Sequence, residues 1–367
     1  MKRLLALAVP ILACGGHTAA PPSPAVTAIP LPAGTALEPY DPAAPGLAKP
    51  SGMALFNGVA YVALNNQDAN FVVRGPGLLA AYTVATGTTT LIDLGGADER
   101  QCQDALFVRA STTHVYATCS GDFKQNGAGS AIVEVDPATN RVTRSVPTPQ
   151  GSFGAQVSPS GLAEGPASFW FGDAAAGQVF AVDKASFTVA GPFPISCPTT
   201  GTFVSTGDVL VSGGDLYALC SNESGGILSR LDATTGSEKM HTDIGPTAVE
   251  IADMGGGRLA VVSGADNGLR IVTVTATDLT VQPFFPFADA TSTLQDVRAS
   301  GKFLYTAASG SNDVQKIDPD ASGGPKVIAE ATFGKNGAPW NILPLDDNNA
   351  LVSNYGTNNL AKVTWAP

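Results

Sequence analysis

Histidine is nearly absent from this chain: 367 residues contain three, and His17, His114 and His241 stand far apart. That scarcity removes the usual proton carrier and metal ligand at neutral pH, so neither a histidine metal centre nor a histidine-driven hydrolase is expected. Basic residues are sparse too. Twenty Lys and Arg face 31 Asp and Glu, a formal net charge of −11, and no run of Lys or Arg occurs after residue 3. Nucleic-acid binding draws most of its free energy from basic contacts to phosphate, so DNA and RNA are excluded as partners. No Gly-x-Ser-x-Gly elbow, P-loop or His-Glu-x-x-His element occurs, which leaves no catalytic motif to follow. Beyond the first fourteen residues no apolar stretch is long and charge-free enough to cross a bilayer as a helix. What the chain has in quantity is glycine and proline, 41 and 27, in a sequence that is 44% hydrophobic and only 14% charged. That mixture fits many short strands and turns rather than disorder.

The N-terminus is a targeting segment. Met1-Lys2-Arg3 is basic, and residues 4–13 form an apolar stretch too short to span a membrane, as in a signal peptide. It closes with Ile11-Leu12-Ala13-Cys14-Gly15, which resembles the lipobox of bacterial lipoproteins. The resemblance implies export, cleavage before Cys14, acylation of that cysteine and anchorage to a membrane through the N-terminal lipid. Each buried acyl CH₂ contributes roughly 0.8 kcal/mol, so several chains hold firmly. Gly15, in place of an acidic residue, implies the outer membrane, at its periplasmic or surface face. Residues 14–24 are proline-rich with no large apolar side chain, as in an extended tether. The other four cysteines, Cys102, Cys119, Cys197 and Cys220, are an even number in an exported chain without C-x-x-C pairs, which predicts two disulfides rather than a zinc site.

An internal repeat organises the rest. A strand ends in a small turn, a second strand carries an aromatic near its middle, and a third ends in an apolar-Asp-x-x-Thr-like turn. The clearest copy runs Gln295-Asp296-Val297-Arg298-Ala299-Ser300-Gly301-Lys302-Phe303-Leu304-Tyr305-Thr306, followed by Val314-Gln315-Lys316-Ile317-Asp318-Pro319. The third-strand turn falls at Thr83, Asp136, Asp183, Asp232, Thr275, Asp318 and Thr364, at intervals of 43 to 53 residues. That period fits a four-stranded blade, and no 3.6-residue pattern competes with it. The turn aspartates read as Asx caps, accepting from backbone N–H groups two residues on.

Tyr61-Val62-Ala63-Leu64-Asn65-Asn66 and Leu304-Tyr305-Thr306-Ala307-Ala308-Ser309 resemble the Tyr-Val-Thr-Asn strand of YVTN and NHL-like propeller repeats. The resemblance spans residues 50–364 and implies an all-β, seven-bladed β-propeller of four-stranded blades. Expected blades are residues 50–95, 101–148, 152–196, 202–245, 246–288, 293–333 and 337–365, in one domain of residues 25–367. The last repeat has room for only three strands, so a strand within residues 25–32 is expected to complete it and close the ring. In this frame Cys119 and Cys220 each lie three residues past a second-strand tyrosine, and the register pairs Cys102 with Cys119 and Cys197 with Cys220.

Counting back nine to twelve residues from the second-strand aromatic reaches Gly52, Asp104, Gln156, Asp208, Glu250, Asp296 and Asn341. Innermost strands line a propeller's channel, so these residues form a candidate acidic ring at its mouth. At 8–10 Å each unneutralised carboxylate pair costs roughly 1.5–2 kcal/mol. Compensation can come from Ca²⁺, from an organic cation or partner, or from Arg100, Lys49 or Arg298; alternatively each carboxylate caps its own loop. Phe123, Trp340 and Tyr355 lie towards the same face as a ligand platform or as packing. Asn65, Asn66, Asn354, Asn358 and Asn359 enrich neighbouring loops, for turn geometry or for sugar or peptide. Streptogramin-lyase-like propellers rely on a central histidine pair, from which this chain departs. The first functional expectation is a membrane-anchored binding or scaffolding propeller, non-enzymatic, receiving a protein, peptide or small molecule at the channel mouth. The alternative is a divalent-cation-dependent hydrolase resembling the gluconolactonase and senescence-marker lactonase propellers, with Asp104, Asp208, Glu250 and Asn341 as ligands.

Overall fold

The computed structural model describes residues 23–96, 100–151, 154–201, 204–287 and 293–365. The expected signal peptide, Cys14, His17 and most of the expected tether lie outside the described residues. Seven antiparallel sheets succeed one another along the chain as the blades of a β-propeller, each ordered from the innermost strand outwards. Blade one is typical, with Pro50–Phe56, Val59–Leu64, Leu78–Thr83 and Thr88–Asp93. In blade five the outermost strand is broken into Leu279–Val281 and Phe285–Pro286, both paired with Gly268–Val274.

The strand sequences follow from this stacking. A blade has a neighbour on each face, so its middle strands are apolar on both sides, as in Val59–Leu64, where every residue after the first is buried. Outermost strands meet solvent and alternate instead, as in Thr88–Asp93 and Lys326–Thr332. The core is accordingly seven clusters, one between each pair of adjacent blades. Tyr116 and Ile132 of blade two, for example, pack on Phe169, Phe171 and Phe180 of blade three. Met53, Leu64 and Leu78 of blade one meet Leu351 and Leu360 of blade seven, where the ring closes.

Blade seven takes three strands from the C-terminus, Pro339–Asp346, Asn349–Asn354 and Asn359–Thr364, and its fourth from the N-terminal strand Ala25–Pro30. Ala25 pairs with Thr364 and Pro30 with Asn359, so the chain ends are joined in one antiparallel ladder. Pro30 is tolerated because its strand is an edge.

The turn aspartates act as caps: Asp136 Oδ1 accepts from the Ala138 N–H at 2.9 Å, Asp232 Oδ1 from Thr234 at 2.9 Å and Asp318 Oδ1 from Asp320 at 3.0 Å. The same turns receive a side chain from the preceding blade. Arg144 donates to the Lys184 carbonyl, Trp170 to Ala233 and Arg230 to Thr275, while Arg258 pairs with Asp320. Blades two to five thus each grip the turn of the following blade through a side chain.

Both disulfides form within the register expected. Cys102 and Cys119 are 5.4 Å apart at Cα and Cys197 and Cys220 are 5.2 Å apart, tying the entrance of blades two and four to their second strands.

Candidate functional site

Every innermost strand carries a bulge of one extra residue near its start. A bulge re-aims the side chain within it, and the seven bulges put Gly52, Phe107, Leu162, Asp208, Glu250, Asp296 and Asn341 at equivalent positions around the channel. Asp208, Glu250, Asp296 and Asn341 therefore stand together as expected. Asp104 does not: it precedes the strand Ala105–Ala110, and its place is taken by Phe107. Gln156 lies in the loop before Pro159–Glu164, and Leu162 replaces it. The ring is acidic on the side of blades four to six and apolar on the side of blades one to three. Gly52 is required by close approach, because a Cβ there would stand 2.5 Å from the Leu106 carbonyl oxygen.

The three ring carboxylates are nearly fully buried, each with a defined task. Asp208 accepts hydrogen bonds from the backbone amides of Val209 and of Ile251 on the next blade, and from the Glu250 carboxyl. Asp296 Oδ2 accepts from the Ile342 amide at 2.8 Å, again across to the next blade, and Oδ1 lies 3.1 Å from Arg298 Nε. Burial, then the charges of Asp208 and Asp296, push the Glu250 carboxyl well above the usual carboxylate range. Of the three carboxyls Glu250 is the one pushed furthest towards the protonated form, and it donates to Asp208. Burial opposes the charge on Arg298, but the carboxylates of Asp296 and Asp208 offset it and hold the guanidinium charged.

Arg109, absent from the expected set, belongs to this cluster. It stands two residues past Phe107, as Arg298 stands two past Asp296, so the period of two along a strand puts both guanidiniums on the channel face one layer deeper. Burial and the charge of Arg298 lower its pKa, while Asp208 and Glu164 act to raise it. Arg298 was among the compensating residues expected; Arg100 and Lys49 are engaged elsewhere, over the Tyr40 and Tyr355 rings. Among the described residues no group of three or more His, Cys, Asp or Glu side chains is placed to hold a metal ion.

Above the ring opens a cavity of about 440 Å³, within the range of small-molecule sites. Leu106, Phe107, Pro159 and Trp340 supply apolar wall, Ser160, Asn222 and Gln295 polar groups, and Glu250 reaches it from the ring. Glu250 and Phe107 also line a narrow space of about 30 Å³ beneath, shared with Asp208, Arg109 and Arg298. The mouth thus leads onto the charged cluster. Trp340 packs on Tyr355 at 5.2 Å between ring centroids, and Tyr355 stacks on the exposed Phe71 at 6.4 Å. Phe123 is largely exposed on the neighbouring blade-two turn Phe123–Gln125.

Asp104 serves the rim rather than the ring. Its backbone is left-handed, at φ 57°, and its buried carboxylate accepts from the side-chain amides of Asn65 and Gln67. Gln67 Oε1 accepts in turn from the Tyr355 hydroxyl at 3.3 Å. Several loop asparagines serve turns and contacts between loops: Asn66 and Asn358 are left-handed, Asn66 Nδ2 donates to the Leu37 and Pro76 carbonyls, and Asn354 pairs with Asn359.

One Ser/His/Glu trio lies far from the channel, beside a shallow hollow of about 530 Å³ on the outer edges of blades three and four. Ser196 Oγ and Glu238 Oε1 approach His241 at 3.1 and 2.9 Å, but both meet the same atom, Nδ1. A relay needs the two ring nitrogens on different partners, so this is not a catalytic triad.

No protein-family model and no curated protein matches the chain. Solved structures do. A streptogramin B lyase superposes with a TM-score of 0.67 at 14% identity, covering 93% of this chain and 98% of that one. Virginiamycin B lyase from Staphylococcus aureus gives 0.64 at 15% identity, covering 87% and 97%. A putative 6-phosphogluconolactonase from Bacteroides uniformis gives 0.57 at 15%, covering 75% and 84%. At such identities the likeness defines the class of protein, a seven-bladed β-propeller, and carries no activity across.

Proposed function

We propose that this chain is an extracytoplasmic binding propeller, held at the outer membrane by an acylated Cys14, that receives a small molecule in the channel mouth. The observation that carries the reading is the cavity of about 440 Å³ that joins apolar and aromatic wall to Glu250 directly above a buried charged cluster. Apolar enclosure with a few convergent polar groups and a perturbed titratable residue is the usual make-up of a ligand site. Two disulfides suit a protein folded in an oxidising compartment.

Strand direction sets the presentation. The innermost strand of blade seven begins at the mouth with Pro339 and Trp340, and Asn359–Thr364 runs the same way, so Thr364 lies at the opposite face. Ala25 pairs with Thr364, and the tether therefore leaves from the face away from the mouth. An anchored propeller offers its cavity outwards. Asp208 and Asp296 accept from backbone amides and Asp296 pairs with Arg298, which favours the binding reading over the cation-dependent hydrolase.

The test is a thermal-shift panel of small amines, sugars and short peptides on the protein and on Trp340→Ala. Compounds that raise the melting temperature of the parent and not of the variant support the reading; a panel whose hits are indifferent to Trp340 contradicts it. For the anchor, Cys14→Ser is expected to abolish fatty-acid labelling and to leave an uncleaved or soluble form. Mature protein beginning at another residue without fatty acid contradicts it.

A further inference from the structure

We infer that the ligand of the channel mouth is a small organic monocation, a primary ammonium or a guanidinium on an apolar body. The inference rests on the binding reading above and adds the ligand's charge.

The charged groups under the cavity do not match in number. Asp208, Glu250 and Asp296 face Arg109 and Arg298, three acids against two bases. Glu164, the next nearest acid, is already paired with Lys184 at 2.7 Å. One positive charge is missing, and without a ligand the proton on Glu250 supplies it. Glu250 is also the member of the cluster that reaches the open cavity, so a cation entering from the mouth meets the one carboxyl whose proton it can replace.

An unmatched polar atom points the same way, independently of the charges. Ser160 lines the cavity at 6% exposure and its Oγ has no hydrogen-bond partner. A buried acceptor left without a donor is destabilising, so such atoms mark where donors belong. An ammonium brings three N–H donors and a guanidinium five.

The walls favour an organic cation over a bare ion. Trp340 and Phe107 offer aromatic surface to a desolvated cation and to its hydrocarbon body, whereas no group of three or more His, Cys, Asp or Glu side chains is placed to hold a metal among the described residues.

The experiment uses benzylammonium and n-butylguanidinium as probes, with benzyl alcohol and n-pentanol as neutral counterparts, by calorimetry on the full folded domain at neutral pH. The cations are expected to bind about tenfold or more tightly than their counterparts, with release of about one proton, read from two buffers of different ionisation enthalpy. Glu250→Gln keeps the donor to Asp208 but removes the missing-charge condition, and is expected to lose the preference for cations; Asp208→Asn is the second variant should the first fail to fold. Equal binding of neutral and charged probes, or a preference that survives both substitutions, overturns the inference and leaves the binding site standing. No binding by any of the four probes overturns the inference as well. If, in addition, the amine, sugar and peptide panel yields no compound that depends on Trp340, the binding reading falls too.

Discussion

Asp104 should make the protein less stable as pH rises, and removing its charge should reverse that. Its carboxyl is buried at 4% exposure and burial lifts it from 3.8 to about 7, even though Asn65 and Gln67 donate to it. The native state therefore keeps a proton that the unfolded chain has already given up, so stability is full below about pH 4 and falls as pH rises towards 7. A rise of that size corresponds to about 4 kcal/mol, with the pair of amide donors working against it. Asparagine is the informative replacement, because it is neutral, similar in size and tolerant of the left-handed backbone found here. Asp104→Asn is expected to be more stable than the parent by about 2–3 kcal/mol at pH 8, after allowing about 1 kcal/mol for disturbed hydrogen bonds. Near pH 4 it should be equal or slightly weaker. Urea unfolding of both proteins at intervals from pH 4 to 8 decides it, since Glu250 and its neighbours titrate alike in both and cancel in the difference. A difference that does not change with pH, or a variant weaker than the parent at pH 8, would refute the burial argument.

Deleting residues 25–30 strips six paired residues from Asn359–Thr364 and leaves that strand an open edge, and calorimetry should show a loss of about 3 kcal/mol or more; an unchanged melting temperature would mean that the ring closes without residues 25–30. Gly161→Ala sets a Cβ 2.3 Å from Asp208 Oδ1 at a backbone φ of +66°, and denaturant unfolding should register about 2 kcal/mol or more of destabilisation. Peptide mapping without reduction should recover Cys102 joined to Cys119 and Cys197 to Cys220, and reduction should cost about 3 kcal/mol for each loop.

The fold was legible in the sequence because its signals are local. Four of the seven third-strand turns carry an Asx cap, at Asp136, Asp183, Asp232 and Asp318, whatever the blade's loops do. The missing strand of blade seven is equally plain from length. The site was legible only in part, because the loops entering the innermost strands differ in length and the bulge adds a residue. Nine positions separate Gly52 from Tyr61, Asp208 from Tyr217 and Asp296 from Tyr305, and the same count back from Tyr116 arrives at Phe107. Asp104 is twelve back, and an allowance of nine to twelve was wide enough to admit the wrong residue. Blade three is beyond such counting, since its first hairpin is shorter and only the ladder locates Leu162. Arg109 had a signal in the strand period, being two past a ring position like Arg298, but it appears only once Phe107 holds that position.

The channel mouth is tested most directly through tryptophan. The chain has three, and Trp170 and Trp365 are each 1% exposed between blades, while Trp340 alone of them lines the cavity. With 5-fluorotryptophan incorporated, fluorine NMR gives one resonance for each, and Trp340→Phe assigns the one that matters. A compound that binds at the mouth should move the Trp340 resonance and leave the other two in place. Binding that moves Trp170 or Trp365 and spares Trp340 would contradict the site.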